Sequence, residues 1–270
     1  GELDGSVTGL PDSYAMMVNA NVHKLTFSTH GLEKFVKGWA PSVNLDLDKF
    51  CKGERLTFRG RASGPLNRLH AHGTMHTDFG KADLNVTLRN VIDPNRPLEI
   101  GGSASTERLD IGRIMAGIPV GECDMRTGLN ATFAKDSLGI VIDSLYVDGL
   151  DVLGYKYSNI AAVGTFSQDA FDGRIVCSDP NLNFLFQGIF SLSSKTKNAL
   201  YQFYANLGYA DLHALNIDKR GVSKMSLSTQ ANFTRISGED IIGNISIKDV
   251  MLEDEHGRHD VGDIEIASHM

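Results

Sequence analysis

The stretch "LHAHGTMHTDFG" (69–80) holds three histidines, His70, His72 and His76, and the acid Asp78 within nine positions. Imidazoles and a carboxylate are metal ligands. A zinc site needs three or four of them converging on one ion, with further groups to orient them. The spacing points elsewhere. Leu69, Ala71 and Met75 alternate with His70, His72, Thr74, His76 and Asp78, which is the period of a β-strand. One strand cannot wrap an ion, so the histidines mark the wet face and Leu69, Ala71 and Met75 the packed one.

Other chemistry is thin. "DLDKFCKG" (46–53) puts two acids on one strand face but lacks the spacing of a calcium loop. Cys51, Cys123 and Cys177 are odd in number and far apart, so neither a disulfide framework nor a clustered zinc motif follows; they read as lone, mostly buried thiols. No G-x-S-x-G elbow, H-E-x-x-H pair or glycine-rich phosphate loop occurs. Asn85, Asn130, Asn232 and Asn244 each open an Asn-x-Ser/Thr triplet, a glycosylation acceptor only in a eukaryotic secreted protein. The expectation is a chain with no catalytic residues, no metal and no cofactor: not an enzyme.

Composition agrees with a folded chain. Its 270 residues are 41% hydrophobic and 22% charged, and no run of about 18 apolar residues is long enough to cross a membrane. The net charge of −7 is spread without blocks, which argues against a nucleic-acid partner. No basic leader opens the chain, and both ends fall inside strand-like patterns. These features suggest an internal piece of a longer protein.

The elements that position these residues are strands. Glycine is frequent, 28 where average usage of about 7% would give about 19. It separates short runs of alternating apolar and polar residues. "KMSLSTQANF" sets Met225, Leu227, Ala231 and Phe233 against Ser226, Ser228, Gln230 and Asn232; "GKADLNVTLRN" does the same with Ala82, Leu84, Val86 and Leu88. Such alternation means one face packed and one wet. Three segments are spaced as short helices: 28–39 (Leu32, Phe35, Val36), 105–117 (Leu109, Ile111, Ile114, Met115) and 209–217 (Leu212, Leu215). Each is too short to stand alone.

The pattern repeats. "IVIDSLYV" (140–147) and "ISIKDVML" (245–252) share Ile-x-Ile, two polar residues, then apolar-x-apolar. The apolar phase flips between Ile142 and Leu145, and between Ile247 and Val250, as at a bulge. "GLNATF" and "TQANF" precede the two copies. A unit of roughly one hundred residues therefore recurs, with approximate limits 28–104, 105–208 and a partial 209–270. "GSVTGLPDSYAMMVNANVHKLTF" and "GRASGPLNRLHAHGTMHTDFG" both read as strand, tight turn and long strand, the mark of an antiparallel meander.

"LDGSVTG", "LTFRGRASGPLNRL", "LDIGRIMAGIPVGECDMRTGLNATF", "YSNIAAVGTF", "FDGRIVCSDPNLNFLFQGIFSL", "YADLHALNI" and "ANFTRISGEDIIGNISIKDVMLEDE" together resemble the TamB-like translocation and assembly module family, within the AsmA-like group, in its Bacteroides-type form. The likeness covers nearly the whole chain and is most specific from Phe171 to Glu255. It implies an all-β fold: a long, twisted, mostly antiparallel meandering sheet curled into an apolar groove, with a few short helices in the connections. It also implies a periplasmic protein anchored in the inner membrane by a helix outside this segment. The implied work is to carry phospholipid acyl chains between inner and outer membrane and to support outer-membrane biogenesis, with an outer-membrane barrel assembly protein as a possible partner.

A groove of this kind is physically coherent. An acyl chain in it replaces the missing second layer at about 0.8 kcal/mol per buried methylene. The apolar phase nominates Leu69, Met75, Leu84, Val86, Leu88, Ile140, Ile142, Ile175, Phe184, Phe186, Ile189, Leu227, Phe233, Ile245 and Ile247 as its lining. An ordinary closed core between two sheets would use the same residues. Two other functions stay open: a structural module that binds an envelope protein through its sheet edges, and a glycan-binding sandwich. The latter finds only one Trp and 8% aromatics to work with.

Overall fold

The computed structural model describes residues 1–28, 30–31, 34, 55–93, 95–114, 119–134, 137–167, 170–191, 199–237 and 240–268. Among them seventeen strands form an all-β, antiparallel arrangement. The chain divides into two units, Gly1–Ser144 and Leu145–Met270.

The first unit holds β1 (Glu2–Thr8), β2 (Met17–Ser28), β3 (Arg55–Pro65), β4 (Arg68–Thr77), β5 (Gly80–Arg89), β6 (Leu98–Glu107), the two-residue β7 (Leu109–Asp110), β8 (Val120–Ala134) and the first half of β9 (Ser137–Val152). Each strand from β1 to β6 pairs with the next, and β6 and β7 both pair with β8. Short turns and period-two alternation make this meander the local solution. The second unit takes the rest of β9, then β10 (Tyr155–Tyr157), β11 (Ile160–Ser167), β12 (Ala170–Asp179), β13 (Leu182–Ser191), β14 (Ala199–Asp211), β15 (Lys224–Ser237), β16 (Asp240–Asp254) and β17 (Gly257–Ser268). β10 pairs with β9, and β11 to β17 pair in sequence order.

The division falls inside the first Ile-x-Ile motif. Along β9 the less exposed positions are Ile140 and Ile142, then Leu145 and Val147, so the inward phase changes there. In the second copy the change is a bulge. Ile247 pairs with Ile264 and Val250 with Gly262, and Asp249 takes the left-handed φ of 55°.

Of the expected short helices, one is shortened and one is replaced by turns. At 28–39 Ser28 ends β2 and, beyond it, only His30, Gly31 and Lys34 are described, all helical; Leu32, Phe35 and Val36 lie outside the described residues, as do Cys51 and the "DLDKFCKG" acids. At 105–117 β6 runs on to Glu107 and a single helical turn covers Ile111–Ile114. At 209–217 the strand continues to Asp211 and the chain then forms turns. One turn of helix is costly to nucleate, and strand pairing claims its first residues. The two excursions are built alike. The Asp110 N–H donates to the Phe79 carbonyl and the Asp211 N–H to that of Asn181, each across the preceding hairpin turn. Each aspartate also accepts from the backbone N–H three residues on, at Arg113 and Ala214.

Fully buried side chains are few, and the clusters they form are small. Leu56, Phe79 and Leu109 pack with Phe27 and Met75, and Leu98 packs with Val91, Ile100 and Phe133. Both clusters gather at strand ends of the first unit, beside the turns.

Candidate functional site

The register assembles the alternating residues into rows across each unit. In the first unit one row runs Gly5, Ala20, Ala62, Ala71, Val86, Gly102, Leu129, and the next runs Leu3, Val22, Gly60, Gly73, Leu84, Ala104, Thr127. None of these positions carries a charge. The opposite face carries Asn21, Arg61, His72, Asn85, Ser103 and Gly128 in register. In the second unit the apolar rows are Ala162, Ile175, Phe186, Ala205, Thr229, Ile247, Ile264 and Gly164, Gly173, Gly188, Phe203, Ala231, Ile245, Ile266. A third joins Phe166, Phe171, Phe190, Tyr201, Phe233, Gly243 and Ser268.

Of the nominated residues, Leu69, Met75, Leu84, Val86, Leu88, Ile175, Phe184, Phe186, Leu227, Phe233, Ile245 and Ile247 fall on these apolar faces. Ile140 and Ile142 sit half-buried on β9. Ile189 does not join them: it lies opposite Asp172 and Gln202, on the polar face. Its strand presents Phe184, Phe186, Gly188 and Phe190 inward, and the glycine in that series disguised the phase.

The apolar faces are half-exposed through most of their rows. Leu84, Val86, Leu88, Ile175, Phe184, Leu227, Ile245 and Ile247 are all of intermediate burial. A sheet face covered by a second layer would bury such residues fully.

Aromatic rings missed in the nomination link the second unit's rows. Centroid separations are 6.1 Å for Phe171–Phe186, 5.3 Å for Phe186–Phe203, 5.8 Å for Phe203–Phe190, 5.1 Å for Phe190–Tyr201 and 4.5 Å for Tyr201–Phe233. Six rings thus form a continuous ribbon over four strands. Phe171, Phe203 and Tyr201 obey the same alternation as the nominated residues. Only the register reveals that they touch.

Paired glycines on the apolar rows leave no room for a side chain. A Cβ on Gly60 would lie 2.7 Å from the Gly73 Cα, and one on Gly73 the same distance from Gly60. Gly164 and Gly173 repeat this, also at 2.7 Å. Ordinary cross-strand Cβ atoms stay about 4.5–5.5 Å apart. Only glycine fits at these facing positions, since any Cβ would run into the paired strand's backbone. Rings fill the space left: Phe58 comes within 2.8 Å of both Gly60 and Gly73 Cβ positions, and Phe171 within 2.7 Å of that on Gly173.

His70, His72 and His76 are exposed on the polar face, with the His70 and His72 rings 5.9 Å apart. His70 Nδ1 shares a hydrogen bond of 3.4 Å with Thr87 Oγ1. Among the described residues no three His, Cys, Asp or Glu side chains are arranged to hold a metal ion. Asn85, Asn130, Asn232 and Asn244 are exposed there too. Cys123 and Cys177 are buried; burial, with Asp124 nearby, pushes the Cys123 thiol up to about 11.

Asp179, the one buried carboxylate among the described residues of the second unit, is a structural knot. Burial alone would raise its pKa. Hydrogen bonds from the Tyr155 hydroxyl, the Asn181 N–H and both the N–H and hydroxyl of Ser158 outweigh this and hold it below the usual carboxylate range. Among the described residues no helix is long and apolar enough to cross a membrane.

Compared with protein-family models, curated proteins and solved structures, the chain matches none.

Proposed function

We propose that the chain is a segment of an envelope protein whose apolar sheet faces carry or shield lipid acyl chains between inner and outer membrane, in support of outer-membrane biogenesis. The observation that carries this reading is the half-exposed, uncharged rows in each unit. Apolar surface in water costs about 25 cal/mol per Å², and an acyl chain laid across the rows relieves it. Such work needs no nucleophile, metal or tuned pKa, so the segment is not an enzyme. On the family resemblance the compartment is the periplasm and the full-length protein is anchored in the inner membrane.

The test is to purify the protein, extract it and identify lipids by mass spectrometry, then to titrate a fluorescent fatty acid. Bound phospholipid and saturable uptake are expected. Phe203→Asp, in the middle of the ring ribbon, should weaken uptake at least tenfold, about 1.4 kcal/mol. A lipid-free protein that takes up no acyl chain sinks the proposal.

A second reading is a structural module that pairs with an outer-membrane barrel assembly protein through a sheet edge. It is favoured by β1 and β17, where Leu3, Val7, Ile264 and Ile266 are 62%, 47%, 41% and 54% exposed. Photocrosslinkers at Val7 and Ile266 that capture such a protein, in the absence of lipid, would support it over the first.

A further inference from the structure

On the second unit a depression of ≈ 310 Å³ is lined by the polar-face residues Gln187, Gln202, Tyr204, Gln230 and Asn232 together with Gly188, Phe203 and Ala231 between them. The register groups them across three strands. Gln187 lies opposite Tyr204 and Tyr204 opposite Gln230, while in the next row Gln202 lies opposite Asn232. All five are exposed, Tyr204 by 44%. Among the described residues none of these side chains makes a hydrogen bond.

The first unit's polar face is different. There Arg61 donates to Asn19, Thr74 to Asp83 and Asn130 to Asp143. In the second unit Lys224 donates to Glu253, but among the described residues the five groups around Tyr204 are uncommitted. Beside Gln230, the Ser246 hydroxyl is shut off from solvent without a partner. Ile189 adds an aliphatic surface next to Gln202.

This chemistry selects a ligand class. A primary amide offers two donors and an acceptor, and cross-strand neighbours repeat about every 4.8 Å. Sugar hydroxyls donate and accept in the same way, and the C–H face of a pyranose suits an exposed phenol ring. No charged side chain lies among the five, so an ionic ligand finds no counter-charge. Charge stands at the border of the five: at Arg174, opposite Gln187, at Asp172, opposite Ile189, at Lys248, opposite Ser228, and at Glu265, opposite Ser246. The uncharged run from β13 to β16 spans about 14 Å, the reach of a short oligosaccharide.

We propose that this face is a binding site for a neutral oligosaccharide with equatorial hydroxyls, engaged by the amides of Gln187, Gln202, Gln230 and Asn232 around the Tyr204 ring. It lies on the face opposite the apolar rows and does not depend on their binding lipid.

The test is titration of the full chain with cellotriose and with chitotriose, by calorimetry and by amide shifts. Saturable binding is expected with at least one sugar, with shifts confined to β13–β16. Tyr204→Ala should weaken it at least tenfold and Gln230→Ala severalfold, with circular dichroism and uptake of a fluorescent fatty acid unchanged. Gln230→Ala also reads the site if Tyr204→Ala disturbs the fold. No saturable binding to about 10 mM of either sugar, or binding that both variants leave intact, overturns the proposal.

Discussion

Replacing Gly73 by alanine tests the glycine pairing of the first unit directly. Its new Cβ would meet the Arg59 carbonyl oxygen at 2.2 Å, the Gly60 Cα at 2.7 Å and Phe58 Cζ at 2.8 Å. Two of these are backbone atoms of the paired strand and can yield only if the ladder opens. Overpacking of this kind costs about 1–3 kcal/mol. Alanine also restricts the unfolded chain, which returns about 0.4–1 kcal/mol. The net expectation is a loss of about 1–2 kcal/mol. Gly139→Ala is the control, because a Cβ there meets nothing within 4 Å. It should keep only the gain. Urea and thermal midpoints followed by circular dichroism should therefore move in opposite directions for the two variants. If Gly73→Ala stabilises as Gly139→Ala does, the glycine pair has room for a side chain and the steric reasoning is refuted. A full rescue of Gly73→Ala by Phe58→Ala would show that the ring, not the backbone, sets the limit.

Two further outcomes follow from ionisable groups. The depressed pKa of Asp179 means that its contribution to stability is complete above the ordinary carboxylate range and is lost as pH falls through its lower folded value. Tyr155→Phe removes one of its donors, should cost about 1.5–3 kcal/mol near neutrality, and should move the acid-unfolding midpoint to higher pH; an unchanged midpoint would refute this. Cys123 is 2% exposed, and burial raises its pKa to about 11. In a Cys51→Ser background neither Cys123 nor Cys177 should react with a thiol reagent at pH 8 until denaturant is added, and prompt labelling would contradict their burial.

Much of the architecture was legible because a strand's period is local. The histidine stretch, "KMSLSTQANF" and "GKADLNVTLRN" each reveal two faces without reference to any partner. The phase change at Ile247/Val250 was equally readable, since an extra residue must flip the faces wherever it stands. The excursion at 209–217 departs from its helical spacing, which Leu212 and Leu215 satisfy, because Asp211 is held by the Asn181 carbonyl, thirty residues back in sequence. Ile189 was misassigned because Gly188 fills an inward position with no side chain to mark it. The amide cluster around Tyr204 drew no notice, since Gln187, Gln202 and Gln230 come from three strands and meet only through register.

The sequence by itself determined the strands, their turns and which side of each is apolar, because alternation and glycine punctuation act within a few residues. Tertiary structure decided which side chains share a row, where rings make a ribbon and where only glycine fits. It also decided that the apolar faces are left half-exposed. Those properties depend on what stands on the neighbouring strand, and no local period records that.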